Sequence, residues 1–177
     1  PPLARDLGLS EIQTSTIFAI SAVAWAITSA SWGRASDNFG RRNIAVIGLI
    51  GYSISIIALI TPLFLVEQNL LAFVYLFPSL ILGRLINGLI GSATRPASFA
   101  YLADITPPEK RTVKFARMES SFLAGTVLGP LIGGFLFLFS QSLPFYLFAA
   151  CALIAAFQLY LKMPNTKITT DTANEIN

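Results

Sequence analysis

Histidine is absent from the sequence, cysteine occurs once, and charge is scarce. Without histidine there is no zinc–imidazole chemistry, no Ser-His-Asp catalysis and no histidine proton switch. The lone Cys151 excludes an internal disulfide and a Cys-rich metal site. Asp, Glu, Lys and Arg make up only 12% of the residues, against roughly 25% in a soluble domain. No metal-ligand cluster or nucleophile–base pair is visible, so an enzyme embedded in a membrane is the least supported class. No cofactor and no metal are expected.

What is there is apolar. Of the 177 residues, 54% are hydrophobic, and the mean hydropathy is +0.68. A net charge of +3 and a pI near 9.3 would suggest nucleic acid in a soluble protein. Here the basic residues stand in short clusters between apolar runs, which is a membrane-topology pattern and not a nucleic-acid footprint. The chain starts at Pro1 rather than Met, with no signal peptide before the first apolar segment, and so reads as a fragment.

A helix crossing about 30 Å of hydrocarbon needs roughly 20 apolar residues. Charge-free runs from Ile12 to Gly33 and from Asn43 to Val66 each meet that length. Ser120 to Leu161 is twice as long as one crossing, and Ser140–Pro144 supplies the polar break that divides it. The segment from Tyr75 to Asp104 is long enough but carries Arg84 and Arg95. Five spans are predicted, over 12–33, 43–66, 75–103, 117–139 and 144–162. Ser10 and Gln13 have capping-box spacing and start the first helix, while Pro107 and Pro108 are expected to end the third. Residues 165–177 read as a polar linker and 1–11 as the end of an extracytoplasmic loop.

Orientation follows from the basic residues. Arg34, Arg41 and Arg42 lie between the first two spans, and Lys110, Arg111, Lys114 and Arg117 between the third and fourth. Lys162 and Lys167 follow the fifth, and only Arg5 lies on the opposite side. By the positive-inside rule the Arg34–Arg42 turn is cytoplasmic and the chain starts outside. An odd number of spans beginning outside implies an earlier helix.

Three motifs stand out. The turn from Gly33 to Arg42 contains Asp37, Gly40 and Arg41. Gly40 can adopt a positive φ, Gly33 permits close helix approach, and Asp37 can accept from a helix N-terminus. An ordinary positive-inside loop would explain the arginines but not the Gly/Asp/Gly spacing. On the third span, Arg84, Gly88, Gly91, Arg95 and Ser98 fall within about 40° of one line at 100° per residue. Two arginines cannot face lipid cheaply, so this stripe should face a wet cavity or a packed neighbour, unless Arg84 snorkels to the outer interface. On the fourth span, Gly125, Gly129 and Gly133 repeat every four residues, with Pro130 and Gly134 beside them. Plain small-residue packing is the bland reading, and Pro130 should kink the helix.

The pattern Gly33-x-x-x-Asp37-x-x-Gly40-Arg41-Arg42 resembles the loop signature of the major facilitator superfamily, with Ala35 where leucine is usual and Asn38 where arginine is common. Arg84-Leu85-Ile86-Asn87-Gly88 is similar to the family's fourth-helix motif, and Gly125 to Gly134 resembles the fifth-helix signature of its drug:proton antiporters, the tetracycline-efflux group included. Lys162-Met163-Pro164-Asn165-Thr166 matches the family's ending after helix six only weakly.

The resemblance implies an all-α membrane protein. Its five transmembrane helices would be helices two to six of an N-terminal bundle over residues 12–164, lacking the first helix and the C-terminal half. It also implies proton-coupled efflux of a small molecule by alternating access, in a multi-pass protein of a bacterial inner membrane, with lipid, solute and protons as partners. Asp37, Arg41, Arg42 and Asp104 would govern the inner gate, Asp104 pairing with Arg41. Arg84, Asn87, Gly88, Gly91 and Arg95 would line the cavity and serve coupling. Gly125, Gly129, Pro130, Gly133 and Gly134 would form a bending surface against the other half. The second and fifth spans, poor in polar residues, should lie at the lipid-facing periphery, and Ala22, Ala26 and Ala30 should form a packing stripe on the first. The competing readings are a sugar or metabolite uniporter or symporter, and a transport-dead scaffold or sensor.

Overall fold

The computed structural model describes residues 10–70 and 72–164. The expectations for the opening segment, Arg5, Lys167 and the polar tail lie outside them. Five helical stretches are long and apolar enough to cross a membrane.

Helix α1 runs over Glu11–Phe39 and starts at a reciprocal cap. The Ser10 hydroxyl accepts from the Gln13 amide at 3.1 Å, and the Gln13 side chain accepts from the Ser10 amide at 2.9 Å. α1 extends six residues past Gly33, so most of the signature expected as a turn is helical. The turn itself is one residue, Gly40 at φ 93°, after which α2 covers Arg41–Glu67.

The third crossing, Phe73–Asp104, is a broken helix. After a 3₁₀ turn over Phe73–Tyr75, α3 spans Leu76–Leu89, a second 3₁₀ turn spans Gly91–Ala93, and α4 spans Thr94–Asp104. Pro96 explains the interruption: it has no N–H to donate, and its ring crowds the carbonyl four residues back, so the preceding turn tightens. Helix α5 (Pro108–Phe137) and α6 (Leu143–Lys162) complete the chain. The third span ends at Asp104, just before Pro107 and Pro108 as expected, and Pro108 has a second role. It opens α5 at a first-turn position, where a missing N–H costs nothing. The basic cluster Lys110–Arg117 therefore lies on the first three turns of α5 and not in a loop.

Helix α2 is central, packing against α1, α3, α4 and α6. This corrects its expected peripheral place. One face presents Ile47, Ile50, Ile54, Ile57 and Phe64 outward, while the other buries Ser53 and Ser55. Ser53 donates to the Ala149 carbonyl of α6 at 3.1 Å and Ser55 to the Gly83 carbonyl of α3 at 2.8 Å. Lipid gives helices no hydrophobic reason to associate, so small contact residues and such bonds hold the bundle. Ala149, Ala152 and Ala156 of α6 are buried accordingly. On α1 the packed positions are Ile17, Ser21 and Ala24; the expected stripe Ala22, Ala26 and Ala30 points outward. Helix α5 meets the bundle chiefly through α4 and α6 and buries no residue.

Candidate functional site

At the arginine-rich end, Arg41 is buried, with 5% of its surface exposed. It is the first residue of α2, and Gly40 swings it back over the end of α1. Its Nη1 donates to Ser36 Oγ at 2.7 Å and its Nε to Asp104 Oδ2 at 2.9 Å, and it forms an ion pair with Asp37. One guanidinium thus joins α1, α2 and the last residue of α4. Asp37 sits in the last turn of α1, where the helix dipole disfavours an anion, and the arginine offsets that. Arg42 turns the other way: it stacks 4.7 Å over the Tyr160 ring and so reaches α6. Gly33 has only an ordinary contact, 3.9 Å from Pro96 Cβ to where its own Cβ would lie, so close approach does not demand glycine there.

Midway along the third span, the break exposes carbonyls that α1 satisfies. Ala93 donates to the Ile90 carbonyl in the 3₁₀ pattern, which frees the Leu89 carbonyl from its helical partner. Trp32 Nε1 donates to it at 2.6 Å. Thr28 Oγ1 lies 3.0 Å from the Gly88 carbonyl and 2.9 Å from Ser92 Oγ. This is possible because Gly88 lets α1 come close: a Cβ there would lie 2.6 Å from the Ser21 carbonyl.

The predicted stripe does not face one way. Arg84 and Gly88 face α1, the Arg84 guanidinium stacking 4.3 Å over Phe18. Asn87, Gly91, Arg95 and Ser98 line a cavity of about 510 Å³ between α1, α2, the broken third span and α5. Its walls are mainly aromatic and aliphatic, with Trp25, Tyr52, Phe99 and Phe122 among them. Arg95 forms an ion pair across the cavity with Glu119 of α5 and packs over the rings of Phe99 (5.7 Å) and Phe122 (4.6 Å). Asn87 Oδ1 is buried in the wall without a hydrogen-bond partner.

Glu119 escaped the sequence reading because the fourth span was expected to start at 117, leaving the acid at its edge. With α5 beginning at Pro108, Glu119 stands three turns inside. Trp25, Tyr52 and Phe122 carried no signal beyond being apolar residues in spans. The glycine-proline segment is separate from this cavity: Cβ atoms added at Gly125, Gly129 and Gly134 would meet nothing within 4 Å, and Gly133 only approaches Phe148. α5 stays helical through Pro130. Among the described residues no group of three or more acidic, Cys or His side chains is placed to hold a metal ion.

Comparison with known proteins agrees with this architecture. Residues 1–175 match the family model described as Major Facilitator Superfamily. The chain is 30% identical over 155 residues to the quinolone resistance protein NorA of Staphylococcus aureus. It is 31% identical over 156 residues to multidrug resistance protein 1 of Bacillus subtilis. Each alignment covers 88% of this chain and 37% of the relative, so the chain spans well under half the length of these proteins.

Proposed function

The chain belongs to the Major Facilitator Superfamily, and from that premise we propose that it is part of a secondary transporter that exports amphipathic small molecules in exchange for protons. The protein is integral to a membrane, with five helices able to cross it. Residues 12–164 would be part of an N-terminal bundle, completed by a preceding helix and a second half. The 37% coverage of both relatives supports this. The bacterial origin of these relatives and their names as drug-resistance proteins support a bacterial inner membrane and a drug-like cargo.

The observation that carries the reading is the placement of the Arg41 cluster below an aromatic-walled cavity on the same broken helix. Asp104 ends α4 nine residues beyond Arg95, about 13 Å along the axis. A charge cluster that joins α1, α2 and α4 at one end of a solute-sized cavity is suited to closing that end, which alternating access requires. We assign Asp37, Arg41 and Asp104 to this inner latch, with Gly33, Gly40 and Arg42 shaping the turn. Asn87, Gly91 and Arg95 are assigned to the cavity, and Arg84 and Gly88, which face α1, to the coupling helix. Gly125, Gly129, Pro130, Gly133 and Gly134, together with Ala22, Ala26 and Ala30, offer bare faces for the other half. No step of covalent chemistry is required.

Inverted membrane vesicles holding the intact protein test this. An outward-directed role predicts dye uptake into the vesicles when their interior is made acidic, abolished by an uncoupler. Uptake indifferent to the uncoupler would favour uniport, and no uptake at all would favour a transport-dead scaffold.

A further inference from the structure

A second groove, of about 450 Å³, lies between α4, α5 and α6 at the arginine-rich end of the bundle. It exists because α4 and α6 each pack on α2 and on α5 but hardly on each other. Its inner walls are apolar, with Leu102 of α4, Met118 of α5 and Leu159 of α6. Leu159 rests on the buried core around Ala45 and Ala97. The mouth is polar. Lys162, the last residue of α6, lines it, and Gln158 stands one turn deeper on the same face. Lys114 lies one turn before Met118 on α5, again on the same face. Among the described residues neither lysine is in an ion pair, whereas Asp104 and Glu119 are already engaged by Arg41 and Arg95. Glu109 is nine residues before Met118, about 180° around α5. The mouth therefore carries two uncompensated positive charges.

From Ala155 to Lys162 the groove runs about 10 Å along α6, roughly the outer third of a hydrocarbon core about 30 Å thick. We propose that this groove binds an anionic phospholipid from the leaflet at that end. Lys114 and Lys162 hold its phosphate, Gln158 donates to its ester region, and one acyl chain lies along Met118 and Leu159. The reason is the order of the chemistry with depth: cations at the interface, an amide donor below them, then apolar walls. A free anion would use the cations but not the walls, and an uncharged lipid the walls but not the cations. Basic pockets between spanning helices suit anionic headgroups for this reason. Ser98 and Met118 line both this groove and the central cavity, so the lipid borders the cavity without entering it. The site requires only a membrane-embedded bundle and stands independently of the transport reading.

The test is binding of fluorescent short-chain phosphatidylglycerol and phosphatidylcholine to the intact protein in neutral detergent. Phosphatidylglycerol should bind about 25-fold more tightly, the two lysines contributing about fivefold each. Lys114→Gln and Lys162→Gln should each cut that ratio about fivefold, and the double variant should abolish it. Arg117→Gln removes the same charge about 100° around α5 from Met118 and should leave the ratio unchanged. Because each result is a ratio between lipids, a lower folded fraction does not alter it. Ala155→Phe fills the groove from an exposed position and should weaken both lipids at least about tenfold, with the melting temperature unchanged. A ratio near one in the unsubstituted protein, or an equal fall in Arg117→Gln, would overturn the proposal. Undiminished binding in Ala155→Phe would overturn it too, as would displacement by millimolar inorganic phosphate, the mark of a free-anion site.

Discussion

Arg41 Nε donates to Asp104 Oδ2 at 2.9 Å, so the first residue of α2 and the last residue of α4 are held together. Arg41 is buried and also engages Asp37 and Ser36, whereas Asp104 keeps a third of its side chain exposed. The two partners are therefore unequal. Arg41→Gln should disrupt more than Asp104→Asn, since it strands two carboxylates and a buried hydroxyl. If the contact latches one end of the cavity, a double-mutant cycle on transport should give a coupling of about 0.5–3 kcal/mol. Strict additivity of the two single losses would argue against a latch.

Glycines in this chain separate into those that need to be glycine and those that do not. Gly40 has φ 93°, and at Gly88 a Cβ would meet the Ser21 carbonyl and Ala24 Cβ. Gly40→Ala and Gly88→Ala should each lower stability by about 1–3 kcal/mol. Gly33→Ala should be nearly neutral, its new methyl finding only the 3.9 Å contact with Pro96. Thermal unfolding of the intact protein in detergent ranks the three. Equal shifts would mean that the helix approach described here is wrong.

The outward glycines of α5 predict a different outcome. Gly129 has open space around it, so Gly129→Leu should leave the melting temperature of this bundle unchanged while lowering transport. Unchanged stability with unchanged transport would place that face against lipid instead of another helix.

Trp32 reaches the Leu89 carbonyl that the helix break leaves free. Trp32→Phe keeps the ring and removes the donor. A net loss of about 0.5–1.5 kcal/mol is expected, with faster amide hydrogen exchange confined to the residues around Gly91–Ala93. Uniformly faster exchange across the bundle would indicate lost packing instead.

The sequence made the crossings legible because about 20 apolar residues between charges leave few alternatives. The capping box at Ser10 and the positive φ of Gly40 were legible too, as each follows from local chemistry. Non-local consequences were not. Pro96 marked no boundary in the apolar pattern, yet it tightens the helix before it, and Arg84 faces α1 while Arg95 faces the cavity. Pro107 and Pro108 were read only as a stop, but Pro108 is also a start, since proline suits both a point just past a helix and a first turn. The earlier start of that helix sets Glu119 three turns inside it instead of at its edge. Ser53 and Ser55 looked too sparse to matter, but two hydroxyls suffice to fix the central helix against its neighbours.

The most direct measurement is the accessibility of Ser98 from each side of the membrane. Ser98 lines the cavity above Asp104, and Cys151, exposed on α6, is replaced by alanine beforehand. In the Ser98→Cys variant, a membrane-impermeant thiol reagent should label from the outside while the Arg41–Asp104 contact is intact. It should label from the cytoplasmic side once Arg41→Gln is added. Labelling from the same side in both proteins would contradict a cavity that opens alternately.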